Sequence, residues 1–390
     1  MEFLTLAINP GSSSYEYSLF SGKKNLLNAY YETGGTGNFG LTINSQPIQK
    51  ISESDFSNSL ANFLSLIEQK LNISAKNIEA VGIRLVVPGT RFAQHQLLTD
   101  EIERSLKGLV KESPVHLPIE LEKIKQEEAL LPGVKVYLIS DTAFHSTIPA
   151  SYKYYAIPKI DSDRMDIKRF GYHGISMQSI VRSIRDDLKL KVPKVIVCHL
   201  GSGSSITAIN NYQSVNNSMG FSPLEGLVMA SRSGNIDISA ALEIKDNLKL
   251  SEKGLVTYLS KKSGLLGLSG VSNDIRDLLD LESTQPDSKF ALDMMVDRIV
   301  GYIGNYWAQL GGLDLLVFTA TAGERSAPIR QRICNKLTAL GVELDQAINQ
   351  ETNTTTQVIS SKKSKVKVMV IPTDETTEIA LQASELHQKN

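Results

Sequence analysis

Cysteine is nearly absent from this chain: Cys198 and Cys334 are the two in 390 residues. A disulfide framework is excluded, and a reducing compartment is the expected home. An excess of charge of either sign is missing too. Lys plus Arg number 41 and Asp plus Glu 42, a net charge of -1, so the overall basic excess of a nucleic-acid binder is not there. No apolar run approaches the roughly 18 residues that a membrane span needs. The N-terminus, Met1-Glu-Phe-Leu-Thr-Leu-Ala-Ile, lacks the basic region and cleavage-site pattern of a signal peptide. His95, His145 and His387 show no metal-ligand spacing, and no Cys/His metal motif exists. These absences predict a cytoplasmic protein without nucleic-acid or membrane partners.

What is present is ordinary for a folded protein: 41% hydrophobic and 21% charged residues. Disorder, collagen and coiled coil are excluded as descriptions of the whole chain. A length of 390 residues exceeds what one hydrophobic core usually organises, so two domains are expected.

Phe3 to Ile8 reads as a strand that opens into a polar turn, Asn9-Pro10-Gly11-Ser12-Ser13-Ser14, and Tyr15 to Phe20 alternates as a return strand. The same unit recurs as strand Lys194–Leu200, turn Gly201-Ser202-Gly203-Ser204-Ser205 and return strand Ile206–Ile209. Strand, turn, strand fits dinucleotide and Walker motifs poorly and suggests an internally duplicated α/β protein. Further expectations are a helix over Asp55–Leu71, strands at Ala80–Val87, Val134–Ile139, Leu313–Thr319 and Val366–Ile371, and a long helix Phe290–Leu310 stopped by Gly311-Gly312. Residues Thr321 to Glu324 read as a third Gly-containing turn, Asn349–Lys365 as a surface loop, and the tail from Thr376 as a short helix. Alternating strands and helices predict α/β layers.

Gly/Ser turns after strands suit phosphate, because backbone N–H groups can approach its oxygens closely and hydroxyls add donors. One such turn alone is ordinarily a plain hairpin; three at strand ends are what a divided nucleotide site needs. Asn9, Asp141 and Glu375 also fall at strand ends, where hard oxygens suit Mg2+, although each alone reads as a cap or turn residue. Arg84 lies inside the apolar run Val81-Gly82-Ile83-Arg84-Leu85-Val86-Val87. Its charge needs a partner, either an internal carboxylate or a substrate carboxylate. His173 and Arg232 sit among small residues, and the ordinary reading of either alone is a solvated side chain.

In order along the chain, the motifs are N-P-G-S-S-S at 9–14, G-I-R-L-V at 82–86, S-P-V-H-L-P at 113–118, D-T-A-F-H-S-T-I-P at 141–149 and R-F-G-Y-H-G at 169–174. They continue with H-L-G-S-G-S-S at 199–205, S-M-G-F-S-P-L-E-G-L at 218–227, S-R-S-G-N-I-D at 231–237, K-K-S-G-L-L-G-L-S-G at 261–270, D-I-R-D at 274–277, G-G-L-D-L-L-V-F-T at 311–319 and I-P-T-D-E at 371–375. Taken together, over essentially the whole chain, they resemble the acetate kinases, the acetokinase branch of the sugar-kinase/Hsp70/actin superfamily.

The resemblance implies an α/β fold of two domains of the duplicated ββαβαβα type (ribonuclease H-like, as in actin-like ATPases) around a cleft. The domains would span 1–143, completed by a C-terminal helix 377–390, and 144–376. It implies a homodimer and the reversible reaction of ATP and acetate to ADP and acetyl phosphate with Mg2+. On the matching positions, Asn9 and Glu375 would hold the metal, and Asp141 would be the catalytic carboxylate beside it. His173 and Arg232 would steady the transferring phosphoryl group. Arg84 would bind the acetate carboxylate, with Val86, Val115, Tyr172 and Pro223 lining the acyl pocket. The nucleotide-handling segments would be Ser12, Ser14 and Glu16; His199, Leu200, Gly201, Ser202 and Gly203; Asp274, Ile275 and Arg276; and Thr321, Ala322, Gly323, Glu324 and Arg325.

The chain departs from the family pattern in places. Glu16 stands where the family has Lys, reversing a charge near the phosphates. Val86-Val87-Pro88-Gly89 replaces a G-G-H-type run, Ile83 replaces a His, and Ser202 replaces an Asn. Thr321 and Arg325 replace a Gly and an Asn in the adenosine segment, and Tyr172 replaces a Phe. These changes keep two alternatives in view: a same-fold kinase using pyrophosphate or propionate, and a catalytically weak binding or regulatory relative.

Overall fold

The computed structural model describes residues 3–11, 13–34, 37–110 and 116–389. Ser12 and Val115 lie outside the described residues. The chain divides into two compact units, one drawn from residues 1–144, 174–179 and 374–390, the other from 145–173 and 180–373.

The first unit is built on eight strands: β1 (Leu4–Pro10), β2 (Ser14–Ser21), β3 (Lys24–Thr33), β4 (Phe39–Ile43), β5 (Gln49–Ile51), β6 (Ala80–Leu85), β7 (Gln96–Leu97) and β8 (Lys135–Ser140). Their order is β5-β4-β3-β2-β1-β6-β8-β7. β1, β2 and β3 pair antiparallel, whereas β1, β6 and β8 run parallel. The second unit carries β9 (Lys194–Leu200), β10 (Ser204–Asn210), β11 (Gln213–Asn217), β12 (Leu315–Thr319), β13 (Gln357–Val358) and β14 (Lys367–Val370), ordered β11-β10-β9-β12-β14-β13. Here β9, β10 and β11 are antiparallel and β9, β12 and β14 parallel. The expected α/β class and the repeat are therefore both present: each sheet has an antiparallel three-strand start beside two further parallel strands.

Strand periodicity builds the first unit's two layers. Leu4, Leu6 and Ile8 of β1 point into one core with Val81, Ile83 and Leu85 of β6 and Val136 and Leu138 of β8. Ala7, Ala80, Tyr137 and Ile139, one residue out of phase, pack on the opposite face with Ile379, Ala380 and Ala383. Those last three belong to the helix Glu375–Lys389, fifteen residues long rather than a short tail. It lies so close that a Cβ at Gly82 would stand 2.8 Å from Ile379 Cγ2. In the second unit the helix Pro286–Leu310 covers the sheet, burying Ala291, Leu292, Val296, Ile299 and Ile303 against Ile196, Cys198, Ile206 and Phe318. It starts on a proline at its N-terminus and ends at Gly311, whose φ of 65° is the left-handed stop expected there.

Three sequence expectations are corrected. The single helix over Asp55–Leu71 is two, Glu53–Ser57 and Ser59–Leu71, parted at Asn58, whose side-chain amide donates to the Ser54 carbonyl. Thr321–Glu324 is not a turn but part of a short helix, Ala320–Arg325. Ala320 takes a φ of 63°, which turns the chain sharply out of β12 into that helix. Asn349 is not on a surface loop: it is buried in the helix Gln346–Glu351, where its side-chain oxygen accepts from Arg330.

Candidate functional site

In the first unit, the strand alternation that fills the core also gathers the polar candidates. Asn9 continues the Ala7 face of β1, Arg84 the Ala80 face of β6, and Asp141 follows Ile139 immediately beyond β8. All three stand at the carboxyl ends of parallel strands, the end at which open α/β sheets bind ligands. Glu375, the first residue of the C-terminal helix, joins them on that face. Arg84 Nη2 is 3.3 Å from Asp141 Oδ2, its Nη1 is 3.6 Å from Glu375 Oε2, and Nη1 donates to Asn9 Oδ1 at 3.4 Å. Asn9 Nδ2 donates to Glu375 Oε2 at 3.1 Å. Arg84 Nε is buried with no partner, so the guanidinium still has a donor to offer. Of the two readings left open for Arg84, the internal ion pair is present, and the spare donor leaves room for the other.

Burial works against the Arg84 charge, but Asp141, Glu375 and Glu120 together hold its pKa above the ordinary value. Burial raises the Glu375 carboxyl; Arg84 opposes and Asp141 reinforces that rise. Glu16 faces Asn9 across β1 and β2. Half-buried, it accepts from Asn28 Nδ2 at 2.9 Å, and burial, with Glu375 and Asp374 adding to it against Asn28, lifts its pKa to about 7. Ser14 opens β2 two residues before it. This corner thus holds more carboxylate than cation. Asn9 and Glu375 offer hard oxygens there, a donor set that fits Mg2+. Among the described residues no group of three or more His, Cys, Asp or Glu could hold a metal ion alone, so such an ion would draw its other ligands from phosphate and water.

In the second unit two nitrogen-bearing candidates approach the glycine turn between β9 and β10. A Cβ on Gly203 would lie 3.3 Å from Arg232 Nη1 and 3.4 Å from His173 Nε2. Glycine there keeps the backbone bare where both side chains converge. His173 is half-buried, stacks on His199 at 4.1 Å between ring centroids, and shares a 2.9 Å hydrogen bond between its Nδ1 and Ser205 Oγ. Arg232, also half-buried, donates from Nη1 to the Pro223 carbonyl at 3.2 Å. Neither is a merely solvated side chain. Leu200 is buried at the end of β9, and Ser202 is exposed at the tip of the turn, its carbonyl accepting from the Ala230 amide.

The remaining candidates sit as follows. Asp274 caps the helix Ile275–Leu281, and exposed Arg276 pairs with it at 2.6 Å. Thr321 and Arg325 are exposed on the short helix after β12, Ala322 is half-buried, and Gly323 and Glu324 are buried. A Cβ on Gly323 would stand 3.4 Å from the Phe318 carbonyl carbon. Burial raises the Glu324 pKa, opposed by the Thr373 amide that donates to it. Tyr172 is buried, and its hydroxyl donates to the Phe221 carbonyl at 2.7 Å. The extra oxygen relative to Phe is thus spent on the backbone. Val86 is buried just past β6.

The structure adds residues that sequence reasoning missed. Glu120 Oε1 accepts from the Val86 amide at 2.9 Å, while its Oε2 is buried without a partner. The helical stripe Leu117, Glu120, Ile124 and Glu127 could have flagged two glutamates on an apolar face. Arg330 is fully buried and donates to the Gly323 and Glu324 carbonyls at 3.0 and 2.6 Å. His145 bonds the Tyr172 carbonyl. Those last two contacts carried no local sequence signal.

A profile described as the acetokinase family matches residues 4–381. The acetate kinase of Dictyoglomus thermophilum is 38% identical over 387 residues, spanning 96% of this chain and 97% of that protein. Among solved structures, Porphyromonas gingivalis acetate kinase superposes with a TM-score of 0.86 at 32% identity, over 98% of this chain and 99% of that one. A propionate kinase from Francisella tularensis gives 0.87, also at 32% identity and with the same coverage.

Proposed function

Because this chain belongs to the acetokinase family, we propose that it moves the γ-phosphoryl group of ATP onto acetate, reversibly, giving acetyl phosphate and ADP. The observation that carries this reading is the convergence of Arg232 Nη1 and His173 Nε2 on Gly203. Two nitrogen groups over a bare glycine turn suit the equatorial oxygens of a phosphoryl group in flight.

Acetate is already ionised at neutral pH, so its carboxylate oxygen attacks phosphorus without a general base. The bond from phosphorus to the bridging oxygen of ADP breaks, and ADP leaves with that electron pair. Catalysis then reduces to alignment and charge neutralisation. Arg84 holds the acetate carboxylate, using the Nε donor that has no protein partner. On the family pattern, Val86, Val115, Tyr172 and Pro223 would line the pocket for its methyl group. Asp141 fixes Arg84 rather than taking a proton. Ser12, Ser14, His199 to Gly203, Asp274 to Arg276 and Thr321 to Arg325 receive the nucleotide, with Glu16 beside them. Asn9 and Glu375 would hold Mg2+, which when bound supplies positive charge to the donor phosphates.

The protein works in the cytoplasm as a homodimer. Its two cysteines are free and buried, as suits a reducing compartment, and no helix among the described residues is long and apolar enough to cross a membrane. Exposed Ile238, Leu242, Leu248 and Val256 offer an apolar face for a second copy. Trapping acetyl phosphate as the hydroxamate tests the reaction, with ATP or pyrophosphate as donor and propionate alongside acetate. Turnover of acetate with ATP is expected. Turnover only with pyrophosphate, or only with propionate, would overturn the donor or the acceptor named here.

A further inference from the structure

His145 is fully buried and has no part in the reaction as read above. Its ring nevertheless contacts the segment that carries His173. Nε2 lies 2.9 Å from the Tyr172 carbonyl oxygen, and Nδ1 lies 2.8 Å from Ser214 Oγ. A carbonyl can only accept, so Nε2 carries the hydrogen of that bond, while Nδ1 shares a hydrogen bond with the Ser214 hydroxyl. Asn217 Nδ2 donates to the same carbonyl at 3.2 Å and to Thr207 Oγ1 at 2.9 Å. The peptide joining Tyr172 to His173 is therefore held by donors from two separate segments.

The same ring decides what residue 171 can be. Its φ is 74°, and a Cβ there would stand 2.8 Å from His145 Cγ. Only glycine fits both demands. Two residues on, His173 adopts a φ of 60°, a left-handed conformation that is unfavourable for a non-glycine residue. Such a conformation persists where its surroundings over-determine it. Here Ser205 and His199 fix the imidazole at its ring, and the His145 bond fixes the peptide behind it.

We propose that His145 is a positioning residue for phosphoryl transfer: by donating from Nε2 to the Tyr172 carbonyl it holds the left-handed His173 backbone and so aims the His173 imidazole. This rests on the reading of His173 as a group that steadies the moving phosphoryl. The contribution belongs to kcat, because a misaimed imidazole fails the transition state while both substrates still bind.

The test compares His145→Leu, which keeps similar bulk but cannot donate, with His145→Gln, whose amide can replace Nε2–H. Each is made alone and together with His173→Ala. The Leu variant is expected to lose about ten- to hundred-fold in kcat with both KM values nearly unchanged, and the Gln variant to recover most of that. In the His173→Ala background, His145→Leu should cost nothing further, because its effect passes through His173. Equal losses in Leu and Gln, or a loss that persists in full without His173, would mean simple packing and overturn the inference. Should the Leu variant not fold, Ser214→Ala serves: several-fold lower kcat supports the link, and wild-type kcat refutes it. If His173→Ala is costly and His145→Leu is harmless, only the present inference fails. If His173→Ala itself keeps wild-type turnover, the reading of His173 fails and takes this inference with it.

Discussion

Arg84 Nη2 meets Asp141 Oδ2 at 3.3 Å across the carboxyl ends of two neighbouring parallel strands, with Glu375 on the other side of the same guanidinium. Removing Arg84 would leave two largely buried carboxylates facing each other without a cation. Arg84→Ala should therefore cost about 3–5 kcal/mol of stability. Arg84→Lys keeps the charge but not the planar fork that a carboxylate substrate needs. The Lys variant is expected to melt close to wild type and to show a KM for acetate raised roughly tenfold or more. Thermal melts beside acetate titrations separate the two readings of this arginine. A Lys variant with lowered melting temperature and unchanged acetate KM would make Arg84 a structural ion pair alone.

Arg232 stands half-buried over Gly203, away from the sheet core. Its loss should spare the fold and act on the chemical step. Arg232→Ala is expected to lower kcat by about three powers of ten or more, as for other transition-state arginines, with little change in either KM. Steady-state kinetics with both substrates varied would decide it. A variant within tenfold of wild-type kcat would remove Arg232 from the transition state.

How much of this was legible beforehand depends on the range of the interaction involved. Strand period two already places Asn9, Arg84 and Asp141 in phase with Ala7, Ala80 and Ile139, so the gathering of those side chains on one face could be read from spacing. Glu16 could be seen to replace a family Lys, but its bond from Asn28 comes from strand pairing, and the charge of Asp374 that acts on it comes from the far end of the chain. The helix after β12 leaves no sequence signal, because Ala-Thr-Ala-Gly-Glu-Arg has no cap or hydrophobic period. It is set by the left-handed Ala320 and by packing of Gly323 on β12. The His145–Tyr172 bond spans 27 residues, from the short 3-10 helix Ala143–Thr147 to the bend before His173, and nothing local announces it.

Glu120 ties a buried carboxyl to the Val86 amide, immediately after Arg84 leaves its strand. Burial lifts its pKa from 4.5 to about 8, with Arg84 and the Val86 bond opposing and Asp141 adding. The folded protein then keeps a proton that the unfolded chain releases. The stability this group supplies is complete below about pH 4.5 and falls as the pH rises, until it levels near 8. Glu120→Gln retains an oxygen for the Val86 amide and cannot ionise. The variant should show a shallower decline of melting temperature between pH 5 and 8 than wild type, reduced rather than abolished because burial lifts Glu127 to about 8 as well. Melts across that range give the answer; parallel curves would mean Glu120 is ionised in the fold.

Arg330 is a fully buried cation that donates to amide and carbonyl oxygens of Gly323, Glu324, Asn349 and Thr352. Burial alone draws its pKa down to about 10, still well above neutrality, so the guanidinium stays charged. Its two bonds to the 323 and 324 carbonyls fix the short helix proposed to meet the nucleoside. Arg330→Met would strand those acceptors in the core and should cost about 3–5 kcal/mol. Asn349→Asp is the second probe: it offers the cation a carboxylate in the same place, at the cost of the amide's bond to the Ala327 carbonyl. Pulling the guanidinium toward residue 349 and away from residues 323 and 324 is expected to raise the KM for ATP several-fold and leave that for acetate unchanged. Equal shifts in both constants would show that Arg330 supports the second unit as a whole and not its nucleotide segment.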